Sequence, residues 1–392
     1  MINQMWEGPI EDKNKLVIAF DAKRLFNNFT GLGNYSRTLL KNLEHFYPQN
    51  EYHLFTPKIT KNKETEFFID HPAFTVHTPD RFSPFWRTYG MSAQINALKP
   101  DIFHGLSHEI PFGIDKDILK LITFHDLIYE KFPDQFNLTD RLMYKWKYQS
   151  SAKRADHIIT ISESTKNDLK ELYRIPQENI SIVYQSCNEV FQKGDFSDFP
   201  ADSILKKLAP YYLYVGSIIE RKGLLQTVIA YSELPSQYRK PFIVVGLGDK
   251  PYIKKVKDLI RYYQLEDRFH FINSIQNHEL LALYDHCFTL IYPSVYEGFG
   301  IPVIECLFRN KPVITSELSS LPEAAGRGAI LVNPYSPDSI CQAMIGLHDE
   351  NLYNHLVSDG WKHVVSHFSS ENTAENMMKL YIEKVEQKDQ PL

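Results

Sequence analysis

Glu297 and Glu305 lie eight residues apart, separated by two glycines, in the run Tyr296-Glu297-Gly298-Phe299-Gly300-Ile301-Pro302-Val303-Ile304-Glu305. Gly298 and Gly300 remove side chains where a ligand's diphosphate must come close to the backbone. Pro302 suits the first turn of a helix beginning at Ile301. Free N–H groups at such a junction, with the positive end of the helix dipole, suit phosphate oxygens. The paired oxygens of Glu305, farther along the helix, can accept hydrogen bonds from two ribose hydroxyls. Glu297, in the loop, is placed to meet a sugar carried by the diphosphate. The two carboxylates sit at different levels, so they are not read as the opposed acid and base of a hydrolase. Either glutamate alone reads as an ordinary acid; the combination carries the signal.

Arg221 and Lys222 precede Gly223 on the loop after an apolar strand that ends at Gly216. A guanidinium and an ammonium there would neutralise a diphosphate and the charge on a departing nucleotide; the alternative is a solvated surface or an interdomain ion pair. Gly246-Leu247-Gly248 either lets a nucleotide approach, Gly248 above all, or turns the chain. Gly31-Leu32-Gly33 has the same ambiguity after the first strand, and neither run is a full dinucleotide fingerprint. His125 with Asp126 ends an apolar strand and can hydrogen-bond a sugar hydroxyl, unless it is a packed histidine. His104 and His108 are candidates to line an acceptor site, but lack a third ligand for zinc, and no metal site is predicted. The aromatic run 82–89 and Tyr144, Trp146 and Tyr148 either contact an acceptor or pack beneath loops.

The elements that position these residues alternate. Strands are expected at Leu16 to Phe20, Tyr52 to Phe55, Thr75 to His77, Ile102 to His104, Leu119 to Phe124 and His157 to Ile161. A helix with Leu39, Leu40, Leu43 and Phe46 on one face follows the first, and a hydroxyl of 162–165 caps another. Acidic residues, Gly and Pro in 194–200 mark a linker. The pattern then restarts with Tyr211 to Val215, Phe242 to Val245, Phe269 to Ile272, Thr289 to Tyr292, Pro312 to Thr315 and Ala329 to Val332. Two α/β domains follow from this alternation. Met377, Met378, Tyr381 and Ile382 fall on one face of a last helix, which could pack on either domain before a polar tail.

A chain of 392 residues with 43 % hydrophobic and 13 % aromatic content can build two such cores. A net charge of −5 gives no global attraction to nucleic acid, and the basic run 250–257 reads as a solvated helix face. Four scattered cysteines, Cys187, Cys287, Cys306 and Cys341, suggest neither a disulfide framework nor a zinc cluster, and favour a reducing, cytoplasmic setting. No signal-peptide pattern opens the sequence, and no apolar run reaches the roughly 18 residues of a membrane span.

The chain resembles family 4 of the retaining glycosyltransferases (group 1), over about 16–381. The resemblance rests on the run 293–305, on Glu220-Arg221-Lys222-Gly223 and on Thr30-Gly31-Leu32-Gly33-Asn34-Tyr35. It implies an α/β GT-B fold of two Rossmann-like domains facing a central cleft, without a cofactor or an obligatory metal. The expected division is an acceptor-side domain at 1–190, a nucleotide-sugar domain at 191–365, and a final helix at 366–392 that returns to the first domain. Residue by residue, the family's spaced glutamates fall on Glu297, beside the transferred sugar, and Glu305, beside the ribose. Its basic pair falls on Arg221 and Lys222, and its His-Asp strand end on His125 and Asp126. With Glu305, the residues expected around the donor are Gly31, Gly33, Gly216, Gly248, Gly298, Phe299 and Gly300. Where many members carry arginine after the glycine that ends the first strand of the second domain, this chain has Ser217, so Arg221 and Lys222 carry more of the phosphate contact. The implied activity is metal-independent retaining transfer of a hexosyl group from a nucleoside-diphosphate sugar to a glycan or lipid-linked glycan. GDP-mannose is favoured as donor and a UDP-sugar is the other choice. The implied setting is cytoplasmic polysaccharide synthesis, with peripheral contact at the inner membrane face left open. The alternatives on the same residues are a sugar-nucleotide epimerase and a non-catalytic nucleotide-sugar-binding protein.

Overall fold

The structure, a computed structural model, describes residues 15–81, 85–193, 195–199, 203–273 and 275–389. The expected contacts of residues 82–84 and both ends of the 194–200 linker lie outside these.

Two parallel sheets organise the chain. The first has seven strands: β1 (Val17–Asp21), β2 (Glu51–Phe55), β3 (Phe74–His77), β4 (Ile102–Gly105), β5 (Leu119–Phe124), β6 (His157–Thr160) and β7 (Ile180–Ile182), in the order β3-β2-β1-β4-β5-β6-β7. The second has six: β8 (Tyr211–Val215), β9 (Phe242–Val245), β10 (Phe269–Ile272), β11 (Cys287–Tyr292), β12 (Val313–Ser316) and β13 (Ala329–Val332), in the order β10-β9-β8-β11-β12-β13. Each is a Rossmann-like arrangement. Strands covered on both faces read as unbroken apolar runs, which is why Phe242–Val245 and the first four residues of Tyr211–Val215 are buried. In each sheet the strand order reverses beside the first strand, at β1/β4 and at β8/β11. Open parallel sheets bind ligands at the carboxyl ends of the strands flanking such a reversal.

By compactness the chain falls into two units, one of Met1–Thr123, Lys147–Ile158 and Ala374–Leu392, the other of Phe124–Trp146 and Ile159–Thr373. His125 and Asp126 therefore group with the 293–300 loop.

In the first unit, Gly31 and Gly33 open the helix Gly31–Phe46 instead of forming a loop before it. A Cβ on Gly33 would lie 1.7 Å from the Asn28 carbonyl oxygen, so packing of the helix start on the preceding turn accounts for that glycine, where a ligand's approach was expected. Gly31 is exposed, with open space where a Cβ would be. His104 is fully buried rather than lining an acceptor site: Nδ1 lies 2.6 Å from the Tyr381 hydroxyl and Nε2 2.8 Å from Thr123 Oγ1, which also meets the Tyr35 hydroxyl at 3.1 Å. Tyr381 belongs to the last helix, Ser370–Asp389. Tyr381→Phe takes a partner from a buried imidazole nitrogen, so it will lower unfolding free energy by about 1–3 kcal/mol in urea titrations.

In the second unit, Tyr252, Val256 and Ile260 recur along one face of the helix Lys250–Tyr262 and join a core containing Tyr212, Tyr231 and Phe242. Lys254, Lys255 and Lys257 face outward, as a solvated stripe should. Part of the expected linker is tied down: Arg309 Nη2 donates to Asp195 O at 2.7 Å, and Ser197 N to Asp285 Oδ2 at 2.8 Å.

Candidate functional site: a buried carboxylate between two cations

The loop between β11 and the helix Ile301–Phe308 is built mostly by hydroxyls and backbone. Ser319 Oγ and Ser320 Oγ donate to the Glu297 carbonyl at 2.8 and 2.9 Å, and Ser320 Oγ also reaches the Phe299 carbonyl at 2.9 Å. Val295 N donates to Arg221 O at 2.8 Å, joining this loop to the one after β8. Gly300 adopts φ 120°, a region that glycine enters without strain. Gly298 passes so close to the strand end at His125 that a Cβ would lie 2.3 Å from the His125 carbonyl oxygen. That carbonyl accepts from Thr165 Oγ1 at 2.9 Å.

At the β8/β11 reversal, Glu297 Oε1 gathers four donors: Ser294 Oγ at 2.7 Å, Tyr292 OH at 3.0 Å, Lys222 Nζ at 3.1 Å and Arg221 Nη1 at 3.2 Å. Burial pushes this carboxyl up, but Lys222, then Arg221 and the Ser294 hydroxyl outweigh it and hold it below the usual range. Glu297 is therefore ionised at neutral pH. Arg221 also donates to the Tyr296 carbonyl, and its Nε is buried without a hydrogen-bond partner among the described residues. Lys222 donates to Tyr292 OH as well, and its Nζ lies 3.4 Å from where a Cβ on Gly216 would be. Gly216 adopts φ 148°. Two cations share the Glu297 carboxylate at the end of a strand, with the nearby Asp126 carboxyl raised by burial, an arrangement that would stabilise an anionic ligand.

Glu305 is 8 % exposed, and its Oε2 accepts from Tyr284 OH at 2.9 Å. Burial pushes the carboxyl up to about 8, against the pull of the Tyr284 bond. The folded protein thus keeps a proton that the unfolded chain loses near 4.5. The resulting stabilisation is fully present below that pH and disappears as pH rises toward 8. Glu305→Gln, with a neutral amide in place of the acid, will flatten the fall of melting temperature between about pH 5 and pH 8; an unchanged slope would count against this assignment.

His125 is 3 % exposed, and Asp126, whose Oδ1 accepts from Ile128 N at 3.1 Å, has its carboxyl raised by burial. Beside them Tyr296 OH donates to Asp168 Oδ2 at 2.6 Å and accepts from Leu127 N at 3.3 Å. Lys131 Nζ completes the set, 2.8 Å from Asp168 Oδ1. The fold thus gathers Arg221, Lys222, Glu297, Gly298 and Gly216 with the His125-Asp126 strand end.

Other expected donor residues are used differently. The Phe299 ring is buried against Phe368 at 5.1 Å and Tyr184 at 5.9 Å, so only its backbone is available to a ligand. A Cβ on Gly248 would lie 2.0 Å from the Ile218 carbonyl oxygen, so an internal backbone crossing accounts for that glycine, where a nucleotide's approach was expected. Tyr292, Ser294, Ser319, Ser320 and Tyr284 were not foreseen; single hydroxyls scattered over 37 residues form no motif until the chain folds. Among the described residues no three His, Cys, Asp or Glu side chains are grouped as metal ligands, and all four cysteines are buried free thiols.

Known proteins resemble the chain over both halves. The family profile described as Glycosyl transferases group 1 matches residues 195–362, and that described as Glycosyltransferase Family 4 matches 29–188. The chain is 32 % identical over 213 residues to the O-antigen chain mannosyltransferase RfbU of Salmonella typhimurium, a match covering 54 % of this chain and 56 % of that protein. It is 25 % identical over 371 residues to the O-antigen chain mannosyltransferase B of Escherichia coli, covering 89 % and 93 %. Among solved structures, Anabaena HepE in complex with UDP and glucose superposes with a TM-score of 0.71 at 15 % identity, covering 94 % of this chain and 100 % of that one, a likeness of fold.

Proposed function

The chain belongs to the group 1, family 4 glycosyltransferases, and on that premise we propose that it moves a hexosyl group, mannose favoured, from a nucleoside-diphosphate sugar to a hydroxyl of a glycan or lipid-linked glycan. The observation that carries the reading is the Glu297 carboxylate held between Arg221 and Lys222 at the strand-order reversal of the second sheet. Mannose is favoured because the curated relatives described above are named mannosyltransferases. HepE was crystallised with UDP and glucose, which keeps UDP-sugars in the donor panel.

In the proposed reaction the bond between the anomeric carbon and the donor phosphate oxygen breaks, and an oxocarbenium-like centre develops. Arg221 and Lys222 neutralise the departing nucleoside diphosphate. The acceptor hydroxyl attacks from the same face, and its proton passes to the phosphate oxygen that leaves, so the configuration is retained. Glu297, ionised by its cations, sits by the transferred sugar and stabilises developing positive charge; no covalent intermediate is invoked. Glu305 hydrogen-bonds the ribose hydroxyls, and backbone groups of 298–300 hold phosphate oxygens. The reaction so written uses no resident cofactor or metal ion. The protein is proposed to act in the cytoplasm; no helix among the described residues is long and apolar enough to cross a membrane, and liposome cosedimentation tests peripheral contact.

The test is a screen of GDP- and UDP-sugars by thermal stabilisation, followed by turnover of the best donor with glycan acceptors and NMR of the new linkage. An inverted product would overturn retention. Conversion of the donor without an acceptor would favour an epimerase, and tight binding without turnover over a broad panel would favour a binding protein.

A further inference from the structure

The first sheet has its own reversal at β1/β4, and the residues there are charged. β1 ends at Asp21, which is 1 % exposed. Arg87 Nε donates to Asp21 Oδ2 at 2.7 Å, and Arg87 Nη1 pairs with Glu109. Glu109 lies just beyond β4, and a Cβ on Gly105 would stand 2.3 Å from its carbonyl oxygen, so the chain folds tightly back over the strand end. Lys147 Nζ stands 3.6 Å from Glu109 Oε2. Lys23 stands two residues after Asp21, its backbone N–H donating to Asp21 Oδ1 at 3.2 Å.

The cluster does not neutralise itself. Lys23, Arg87 and Lys147 share two carboxylates, Asp21 and Glu109, and Arg24 adds its charge beside Lys23. Among the described residues the half-buried Lys23 ammonium has no hydrogen bond or ion pair, and Arg24 Nε is buried without a hydrogen-bond partner. Burial, then Arg87, depresses the Lys23 ammonium. Asp21 and Glu109 attract Lys23, but both are already paired directly with Arg87, and a half-buried cation without a direct partner costs free energy. The excess of two positive charges matches a dianion. Aromatic faces adjoin it: Tyr89, 56 % exposed, stacks on Phe112 at 5.4 Å, and His108 on Tyr148 at 4.6 Å. Flat apolar faces beside polar groups suit a sugar ring.

We propose that the β1/β4 reversal is a second oxyanion site, in which Lys23 and Arg24 take a phosphate or diphosphate carried by the acceptor, so that this protein glycosylates a phosphate-bearing acceptor. The word acceptor rests on the glycosyltransferase reading, since the donor diphosphate is assigned there to Arg221 and Lys222; the anion site does not.

The test is calorimetric titration of inorganic pyrophosphate into the full-length protein in metal-free buffer, with and without saturating GDP-mannose or the best donor of the screen. Pyrophosphate is expected to bind with the donor site filled, to bind about tenfold more weakly to Lys23→Gln, as loss of one charge-assisted hydrogen bond implies, and to recover with Lys23→Arg. Arg221→Gln should leave that event unchanged. Binding that vanishes when donor is present, or that Lys23→Gln does not alter, would overturn the proposal. If no nucleotide sugar binds at all, the glycosyltransfer reading fails, while the Lys23-dependent event without donor still reports the anion site. Farnesyl diphosphate and glucose 1-phosphate serve as competitors: displacement by either supports the site, the tighter one marks a lipid-linked or a free sugar phosphate, and displacement by neither counts against it.

Discussion

Glu297→Gln will abolish most turnover and destabilise the protein, and the lost stability will return when a diphosphate is added. Among the described residues the carboxylate is the one acid in direct ion pairs with both Arg221 and Lys222, whose side chains are 7 % and 12 % exposed. A neutral amide keeps the shape and the Ser294 and Tyr292 contacts but takes from both cations the carboxylate they pair with directly. Breaking a buried pair in this way costs about 3–5 kcal/mol. Removing a group placed to stabilise transition-state charge lowers kcat by roughly a hundredfold or more. Melting curves with and without inorganic pyrophosphate are the check. The variant should gain more from the anion than the wild type, because the anion replaces the missing charge. Equal gains would mean that Arg221 and Lys222 do not face the anion site.

Arg221→Ala will be as damaging for a different reason. Its guanidinium reaches the Tyr296 carbonyl and the Glu297 carboxylate together, and a methyl group leaves both acceptors short of a donor. Loss of kcat of about 10²–10³-fold is expected, with destabilisation of the 293–300 loop read as faster amide exchange at 296–298. Arg221→Lys will not restore activity, since both contacts are made by Nη1 and a lysine ammonium stands one bond nearer the backbone. Lys222→Ala should cost turnover but leave the loop protected. Full activity in either alanine variant would remove the basis for the phosphate assignment.

Much of the fold was legible because buried parallel strands are contiguous and apolar. Tyr211 to Val215 and Ala329 to Val332 coincide with the observed strands, and most of the other expected strands differ by a residue or two at an end. The glycines were harder. Gly298 is required where two backbones cross, and so are Gly33 and Gly248, but the crossing is with the His125 strand end in the first case, with the local turn at Asn28 in the second and with the loop at Ile218 in the third. One residue type serves close approach to a ligand or to the protein itself, and spacing alone does not separate the two. Histidines show the same limit: His104 and His125 each stand at or just beyond a strand end, yet His104 is fully buried and bonded to Thr123 and Tyr381.

The sequence by itself determined the two α/β halves, the strand-to-helix junction at 300–301, and the identity of Glu297, Glu305, Arg221 and Lys222, because these depend on local periodicity and on residues close in the chain. Tertiary structure decided their state. It brought Arg221 to Glu297 across 76 positions, ionising that carboxylate, and buried Glu305 against Tyr284, so that its carboxyl holds its proton to about pH 8. It also left Lys23 and Arg24 in excess at the reversal of the first sheet. Charge state depends on which groups share a low-dielectric space, and that is set by chain packing rather than by order along the chain.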